Sequence, residues 1–242
     1  MNSSFLLYSL KQNFKNISLT IRQSTVGRFL LNHGLDEIQN SPILNITKYL
    51  PQKDIRIFSP YKTESVILEI GTGNGEHLVR IAKDNTKHTI IGFELVQEYV
   101  KKTANNIMKN VCKNAKIVHG EAKKIIEKYI PNQTVDKIYI ICPDPWPKKR
   151  HIKHRITYIE NLTPLVKKLN MDGEIIVITD NEILAQTLDD SLEKYQKSKI
   201  FDIQFKRKKY SELPKFVFRT KYIKKWEKIG REFWYYSIIK VG

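Results

Sequence analysis

Short apolar runs alternate with longer segments of mixed polarity along the chain from Ser65 onward. A run that is apolar at nearly every position is typical of a strand covered on both faces of a sheet. Such runs are SVILEI, HTIIGFE, AKIVHG, VDKIYIIC and EIIVITD, and two β-rich runs, IFDIQF and FWYYSIIKV, close the chain. These runs predict the strands of one sheet.

The segments between the runs carry apolar residues at the spacing of amphipathic helices. They are EHLVRIAK, Gln97 to Cys112, AKKIIEKYI, Arg155 to Leu169 and Glu182 to Lys197, and MDG after the fourth predicts a turn. Strands that alternate with helices indicate an α/β protein whose sheet is mostly parallel, with right-handed crossovers.

Residues 1–60 lack sustained periodicity, and the first acidic residue is Asp36. We expect a basic N-terminal extension, partly disordered, followed by one domain over residues 61–242. The apolar patch FLLYSL has no basic residue before it, whereas a secretory signal has the opposite order. We favour the interpretation that this segment is a frayed tail of a cytosolic protein, and an organellar transit peptide remains the alternative.

The charge of the chain indicates a polyanionic partner. There are 42 Lys and Arg against 25 Asp and Glu, a formal net charge of +17. Nucleic acid is the first candidate, and a Lys-rich surface from a biased genome is the alternative. The segment Lys206 to Arg231 mixes basic residues with aromatic side chains, which favours a nucleic-acid surface or a closing hairpin with aromatic core residues.

Cysteine usage and the length of the apolar runs indicate the cellular compartment. The two cysteines, Cys112 and Cys142, form no CxxC pair, which argues against a disulfide scaffold and a cysteine-based zinc site. No apolar run approaches the roughly 18 residues that a membrane helix needs. We expect a cytoplasmic protein without a metal or a membrane anchor, as a monomer or a homodimer.

The first predicted strand runs into a glycine loop, EIGTGNGE. Gly71, Gly73 and Gly75 have the spacing G-x-G-x-G rather than the G-x-G-x-x-G of dinucleotide sites. Glu69 and Glu76 flank them, and two carboxylates would repel a pyrophosphate. They suit S-adenosylmethionine, which carries an ammonium and a sulfonium and no phosphate. This pattern disfavours a NAD-dependent oxidoreductase.

Two further acids follow the next strands. Glu94 ends the second strand, where a carboxylate can accept hydrogen bonds from both ribose hydroxyls. Glu121 follows the third strand and is either an adenine contact or a helix first-turn acid. His119 is interpreted as a structural histidine, since no companion ligands surround it.

The fourth strand leads into CPDPWPKKRHIKHR. Prolines fix φ and restrict the residue before them, so Asp144 lies between two stiff joints. The alternative is a rigid surface loop with Trp146 packed inward. Basic residues that can neutralise phosphates follow at once, namely Lys148, Lys149, Arg150, Lys153 and Arg155.

Together EIGTGNGE, GFE, PDPWPKKRHIKHR and ITDN resemble the bacterial tRNA (guanine-N7-)-methyltransferase family over most of residues 64–242. The resemblance implies a class I methyltransferase, Rossmann-like fold with a mostly parallel seven-stranded sheet and helices on both faces. It implies S-adenosyl-L-methionine as cofactor and tRNA as substrate, methylated at N7 of the variable-loop guanine, position 46.

The resemblance also implies roles for individual residues. Asp144 matches the proposed catalytic residue, and Lys148, Asp180 and Thr220 match positions that contact the tRNA substrate. Cofactor positions, together with the glycine loop, are Glu69, Gly71, Gly73, Gly75, Glu94, Glu121 and Asp144.

Two positions depart from the family pattern. Glu121 stands where the family has Asp or Asn, which weakens the expected adenine contact. The family's T-x-x-E motif reads TKYI here, with Ile223 at the acid's position. Either Glu227, one helical turn later, substitutes for that acid, or the base contact is missing.

Guanine N7 carries a lone pair and no proton, so its methylation requires no general base. Catalysis would consist mostly of positioning N7 against the methyl group. A fixed carboxylate such as Asp144 would offset the positive charge that forms on the purine and accept hydrogen bonds from its N1 and N2 edge. Trp146 either stacks on the base or braces the loop, and Asp180 can read a guanine edge.

The sequence leaves two alternative functions open. A base amino-methyltransferase carries an acid or Asn followed by Pro-Pro and an aromatic, and DPWP lacks the double proline. A non-catalytic RNA-binding subunit on a methyltransferase scaffold would have no need of Glu69, Gly71, Gly73, Glu94 and Asp144.

Overall fold

The computed structural model describes residues 42–44, 65–198, 202–213 and 219–241. Eight strands lie within these ranges: β1 (Ile43–Leu44), β2 (Val66–Ile70), β3 (Thr89–Glu94), β4 (Ala115–His119), β5 (Val135–Ile141), β6 (Leu169–Thr179), β7 (Ile203–Lys209) and β8 (Trp234–Lys240). The helices are α1 (Glu76–Asp84), α2 (Gln97–Lys109), α3 (Ala122–Tyr129), α4 (Ile159–Lys168), α5 (Glu182–Ser198) and α6 (Lys221–Glu227). Two 3₁₀ turns cover Lys149–His154 and Tyr210–Glu212.

All eight strands form one sheet in the order β1-β4-β3-β2-β5-β6-β8-β7. Every neighbouring pair is parallel except those that involve β8, which runs antiparallel to both β6 and β7. The predicted mostly parallel sheet is confirmed: its seven predicted strands are β2 to β8, and β1 adds an eighth at the edge. Since the order reverses between β2 and β5, the carboxyl ends of these strands open a crevice where ligands bind in such folds.

The added strand β1 comes from the predicted N-terminal extension. Ile43 and Leu44 pair with Ile117 and Val118 of β4, and the Ile117 amide donates to the Pro42 carbonyl at 2.8 Å. The remainder of residues 1–60 lies outside the described residues, so the predicted basic and partly disordered character of that extension stays a prediction.

Helices cover both faces of the sheet. Neighbouring residues of β2 point to opposite sides, with Ile67 toward α1 and α2 and Leu68 toward α3, α4 and α5. A third, smaller cluster lies under α6. It consists of Ile176, Ile178, Tyr210, Ile223 and Phe233. The predicted arrangement of helices on both faces is therefore confirmed.

Some local predictions were wrong. The fourth helix begins at Ile159 rather than Arg155, because the 3₁₀ turn and a bend occupy the preceding residues. The predicted MDG turn lies inside β6, where the register with β5 shifts between Val135 and Lys137 and Asp172 adopts φ 60°. A bulge therefore absorbs the turn residues within the strand.

The basic and aromatic segment Lys206 to Arg231 divides into several parts. Its first residues extend β7 as far as Lys209, and Tyr210 is fully buried, so this ring packs in the core instead of facing a nucleic acid. Tyr222 is 44% exposed and stays available for stacking. Residues 214–218, which include the aromatic residues Phe216 and Phe218, lie outside the described residues.

Candidate active site

A cavity of about 400 Å³ opens where β2 and β5 end. The glycine loop forms one side, and the ends of β5 and α6 form the other. Its wall consists of Glu69, Gly71, Thr72, Gly73, Asn74, Glu76, His77, Tyr99, Ile141, Cys142, Thr220 and Tyr222. The structure therefore brings Glu69, Gly71 and Gly73 together with Thr220 in one cavity wall, and their roles as cofactor and substrate positions stay predictions.

The glycine loop is held by backbone contacts and by α2. The Gly71 amide donates to the Phe93 carbonyl at 2.8 Å, and Thr103 Oγ1 donates to the Gly73 carbonyl at 3.0 Å. At Gly75, φ is 77° and a Cβ would lie 2.8 Å from Thr103 Cγ2. Only glycine fits this position without displacing α2.

Glu69 is a buried carboxylate in the cavity wall. Its side chain is 2% exposed, and its Oε1 lies 3.0 Å from His77 Nδ1. Its Oε2 is buried and has no hydrogen-bond partner among the described residues. A buried carboxylate oxygen without a donor is costly, so this atom is suited to a ligand that brings a positively charged N–H group.

Glu94 lies directly behind the glycine loop. Its Oε2 accepts a hydrogen bond from the Gly73 amide at 2.9 Å, and its Oε1 accepts from Leu95 and Val96 at 2.8 and 3.0 Å. The carboxylate thus ties the loop to the start of α2. A carboxylate offers about four acceptor positions, of which three are used here, and Glu94 is not part of the cavity wall. The predicted contact with both ribose hydroxyls therefore stays a prediction.

The structure also places His119 and Glu121, which lie at and just after the end of β4, the third predicted strand. Glu121 is half exposed, lies 2.6 Å from Lys124 Nζ and does not contribute to the cavity wall. The structure therefore does not bring it together with Glu69 and the glycine loop. The ring Nε2 of His119 lies 3.0 Å from the Leu95 carbonyl oxygen, which agrees with a structural histidine.

The proline-rich loop after β5 is held in an unusual conformation. Cys142 and Trp146 adopt φ 47° and 43°, a left-handed region that costs side-chain-bearing residues on the order of 1–3 kcal/mol. Asp144 lies between them, is exposed, and accepts a hydrogen bond from the Trp146 amide at 3.3 Å. The loop carries Asp144 beside the cavity rather than in its wall.

Arg155 explains how this conformation is maintained. We expected it to neutralise a phosphate, and that expectation was wrong, because Arg155 is 4% exposed. Its guanidinium donates to the carbonyl oxygens of Pro145 and Trp146 and, at 2.8 Å, to Thr187 Oγ1. Arg155 therefore braces the loop from inside, a role that sequence spacing alone does not distinguish from phosphate binding.

The outer side of the same loop is basic and aromatic. Lys148, Arg150 and Lys153 are exposed. Trp146 is 37% exposed, and its ring centroid lies 5.2 Å from that of His154 and 5.6 Å from that of His151. Trp146 thus packs on the histidines instead of the core, and its exposed part stays available for stacking.

Asp180, at the end of β6, is paired rather than free. Its Oδ2 accepts hydrogen bonds from Arg231 Nη1 at 2.5 Å and from Tyr222 at 3.3 Å. Arg231 in turn lies 4.0 Å from the centroid of the Trp226 ring. No local motif marks Arg231 as a partner of Asp180, because Asp180 lies 51 residues earlier in the chain.

Cys142 brings a thiol to the cavity wall. Burial raises the pKa of its thiol well above the ordinary value, and the Asp180 carboxylate raises the pKa further while Arg231 lowers it. The thiol therefore stays protonated near neutral pH and is not suited to act as a nucleophile.

The start of α6 departs from the family pattern in a defined way. Thr220 caps the helix by accepting a hydrogen bond from the Ile223 amide at 3.2 Å. Ile223 is fully buried, and Glu227 lies 3.3 Å from Arg219 at the other end of the helix. Glu227 is not in the cavity wall. The carboxylate at this helix start belongs to Glu76, which accepts from the Lys221 amide at 3.0 Å.

Over the described residues, no group of three or more His, Cys, Asp or Glu side chains could hold a metal ion. In the same ranges, no helix is both long and apolar enough to cross a membrane.

A mostly parallel sheet with a reversed β8 and an acid-flanked glycine loop at its switch point is the fold of a class I methyltransferase. The family described as putative methyltransferase matches residues 63–236. The chain belongs to this family.

Comparison with curated proteins finds enzymes named tRNA (guanine-N(7)-)-methyltransferase. The protein from Thermotoga maritima is 32% identical over 69% of this chain and 51% of its own length. That from Buchnera aphidicola subsp. Baizongia pistaciae is 37% identical over 51% of each chain. The chain thus spans about half the length of these relatives.

Comparison with solved structures finds the antibiotic-resistance methyltransferase Kmr, at a TM-score of 0.52 and 16% identity over 73% of this chain and 87% of that one. The 16S rRNA methyltransferase KamB matches at a TM-score of 0.51 and 12% identity, over 73% and 88%. These likenesses support the fold.

Proposed function

We propose that this protein is an S-adenosylmethionine-dependent methyltransferase that methylates N7 of a guanine in tRNA, the variable-loop guanine at position 46. The observation that carries the proposal is the buried Oε2 of Glu69, which has no hydrogen-bond partner among the described residues and belongs to the wall of a 400 Å³ cavity at the switch point of the sheet.

The charge of the cavity wall supports the cofactor. Its acidic side chains are those of Glu69 and Glu76, and no Lys or Arg belongs to the wall among the described residues. A phosphate-bearing dinucleotide would find no Lys or Arg among the described wall residues, whereas the ammonium of S-adenosylmethionine fits Glu69. When bound, this cofactor supplies an electrophilic methyl group on a sulfonium centre.

The substrate follows from the surface and from the relatives. The exposed Lys148, Arg150 and Lys153 follow the loop that leaves the cavity wall at Cys142, and they suit a phosphate backbone. The relatives from Thermotoga maritima and Buchnera aphidicola are named as enzymes that act on guanine N7 of tRNA.

The residues of the chain then have distinct tasks. Glu69 and the glycine loop orient the cofactor, and Thr220 and Tyr222 border the space left for the base. Guanine N7 attacks with its own lone pair, so no side chain needs to remove a proton. Asp144, held by the loop that Arg155 braces, offsets the positive charge that forms on the purine.

The test is an incubation of the purified protein with unmodified tRNA and methyl-labelled S-adenosylmethionine, followed by nucleoside analysis. We expect label in 7-methylguanosine, and none when position 46 is changed to adenosine. Label in an N-methylated adenosine or cytidine would support the amino-methyltransferase alternative. Absence of any label, with S-adenosylmethionine bound, would support the non-catalytic subunit.

A further inference from the structure

Glu76 brings a second carboxylate to the cavity wall, in addition to Glu69. It begins α1, directly after the glycine loop, and lies in the wall beside Thr220 and Tyr222. Its Oε2 accepts the hydrogen bond from the Lys221 amide at 3.0 Å. Its Oε1 makes no hydrogen bond to any residue that the structure describes. The side chain is thus fixed at one oxygen and has acceptor capacity at the other.

The other acids near this end of the cavity are not available in the same way. The Asp180 carboxylate forms an ion pair with Arg231, accepts from Tyr222 at the same oxygen, and is not part of the cavity wall. Glu227 faces Arg219 at the far end of α6. The T-x-x-E position is taken by the buried Ile223. Among the described residues, Glu76 is therefore the acid that both lines the cavity and has a free acceptor next to Thr220.

We propose that Glu76 is the specificity-determining residue of this site, accepting hydrogen bonds from the N1–H and 2-amino groups of the target guanine. The proposal rests on the proposed function and names the group that selects its base. Each carboxylate oxygen has two lone pairs, so Oε2 can keep the Lys221 amide while it accepts a second donor. Adenine carries an acceptor at N1 and no 2-amino group, so it leaves the carboxylate unpaired.

This assignment places the edge contact on Glu76 rather than on Asp144. Asp144 is exposed and outside the cavity wall. Its remaining proposed role is to offset the positive charge of the methylated purine. The contact also places α6 in the base site, because the carboxylate that touches the guanine is the one that holds the first amide of that helix.

The experiment compares tRNA that carries guanosine with tRNA that carries inosine at the target position, since inosine lacks only the 2-amino group. The measured quantity is kcat/KM for methylation under saturating cofactor. For the unaltered protein we expect a preference for guanosine of about tenfold or more, because inosine loses a hydrogen bond to a charged acceptor.

Glu76→Gln separates base selection from a purely structural contact. The amide oxygen of Gln can still accept from Lys221, but its NH₂ group then faces the donors of guanine. We expect the guanosine preference to fall to within about threefold and kcat/KM on guanosine tRNA to fall about tenfold or more. The melting temperature should stay unchanged, and cofactor affinity should change much less than kcat/KM. Glu193→Gln, an exposed acid of α5 paired with Lys197, is the matched control and should keep the full preference.

Three outcomes would overturn the proposal. An unaltered preference in Glu76→Gln shows that Glu76 only fastens Lys221. Equal rates on guanosine and inosine tRNA with the unaltered protein show that the 2-amino group is not read, and this result does not depend on any variant folding. If the unaltered protein methylates neither tRNA, the proposed function itself fails and the assignment of Glu76 fails with it.

Discussion

The buried guanidinium of Arg155 holds the carbonyl oxygen of Trp146 through two N–H groups, Nε at 3.2 Å and Nη2 at 3.1 Å. This contact fixes one end of the loop that carries Asp144. Trp146 has a strained, left-handed φ of 43°, so the loop would relax without the contact to Arg155. The position of the proposed charge-stabilising carboxylate therefore depends on a side chain that makes no contact with the cavity.

Arg155→Lys should weaken both the fold and the reaction. A lysine ammonium cannot reproduce the planar fork of donors, so carbonyl groups near the loop lose their partners. We expect a loss of about 1.5–3 kcal/mol in the free energy of unfolding. That loss corresponds to a melting temperature lower by roughly 3–12 °C in calorimetry. Arg150→Lys, an exposed change in the same segment, should leave the melting temperature unchanged, and an equal decrease in both variants would contradict the brace.

Glu69→Gln should lower the affinity for S-adenosylmethionine without destabilising the protein. The substitution removes a charge-assisted hydrogen bond, so the dissociation constant should rise about ten- to hundredfold, which is 1.5–3 kcal/mol. The melting temperature should not fall, because the change relieves the burial of an unpartnered carboxylate oxygen. Titration calorimetry measures the affinity. Unchanged cofactor affinity would remove Glu69 from the site.

Binding to tRNA should weaken steeply with salt, since phosphate contacts release counterions. The exposed Lys148, Arg150 and Lys153 alone predict a slope of roughly −2 to −3 in a plot of log affinity against log salt concentration. Lys148→Ala should make the slope shallower by about 1. Lys197→Ala, on α5, is the control for nonspecific charge loss. A flat plot for the unaltered protein would mean that this surface does not bind the tRNA backbone.

The strand and helix order could be predicted from the sequence because a parallel sheet covered on both faces has an unmistakable pattern of continuous apolar runs. The glycine loop and its acids could be predicted as well, since their spacing is local. Sequence did not distinguish the buried Arg155 from its exposed basic neighbours, because burial depends on α5 packing against the loop. It also gave no sign that Arg231 pairs with Asp180 or Glu76 with Lys221, because those partners are brought together only by the fold.

Asp144→Asn keeps the shape of the side chain and removes its charge. If the carboxylate offsets the cation that forms on the purine, turnover should fall on the order of 10²-fold or more. The affinities for cofactor and tRNA should change much less. Single-turnover methylation beside separate binding titrations resolves the two effects. A near wild-type rate would show that the Asp144 charge does not contribute to turnover and that the loop has only a structural role.

The most direct measurement uses tRNA that carries 7-deazaguanosine at position 46, in which a C–H group replaces the N7 lone pair. This substrate keeps the Watson–Crick edge and the phosphates, so it should bind the protein with nearly the affinity of unmodified tRNA. Because it lacks the nucleophile, it should accept no methyl group in a single-turnover reaction that converts the guanosine tRNA fully. Methylation of the deaza substrate at the normal rate would show that N7 of this guanine is not the atom on which the site acts.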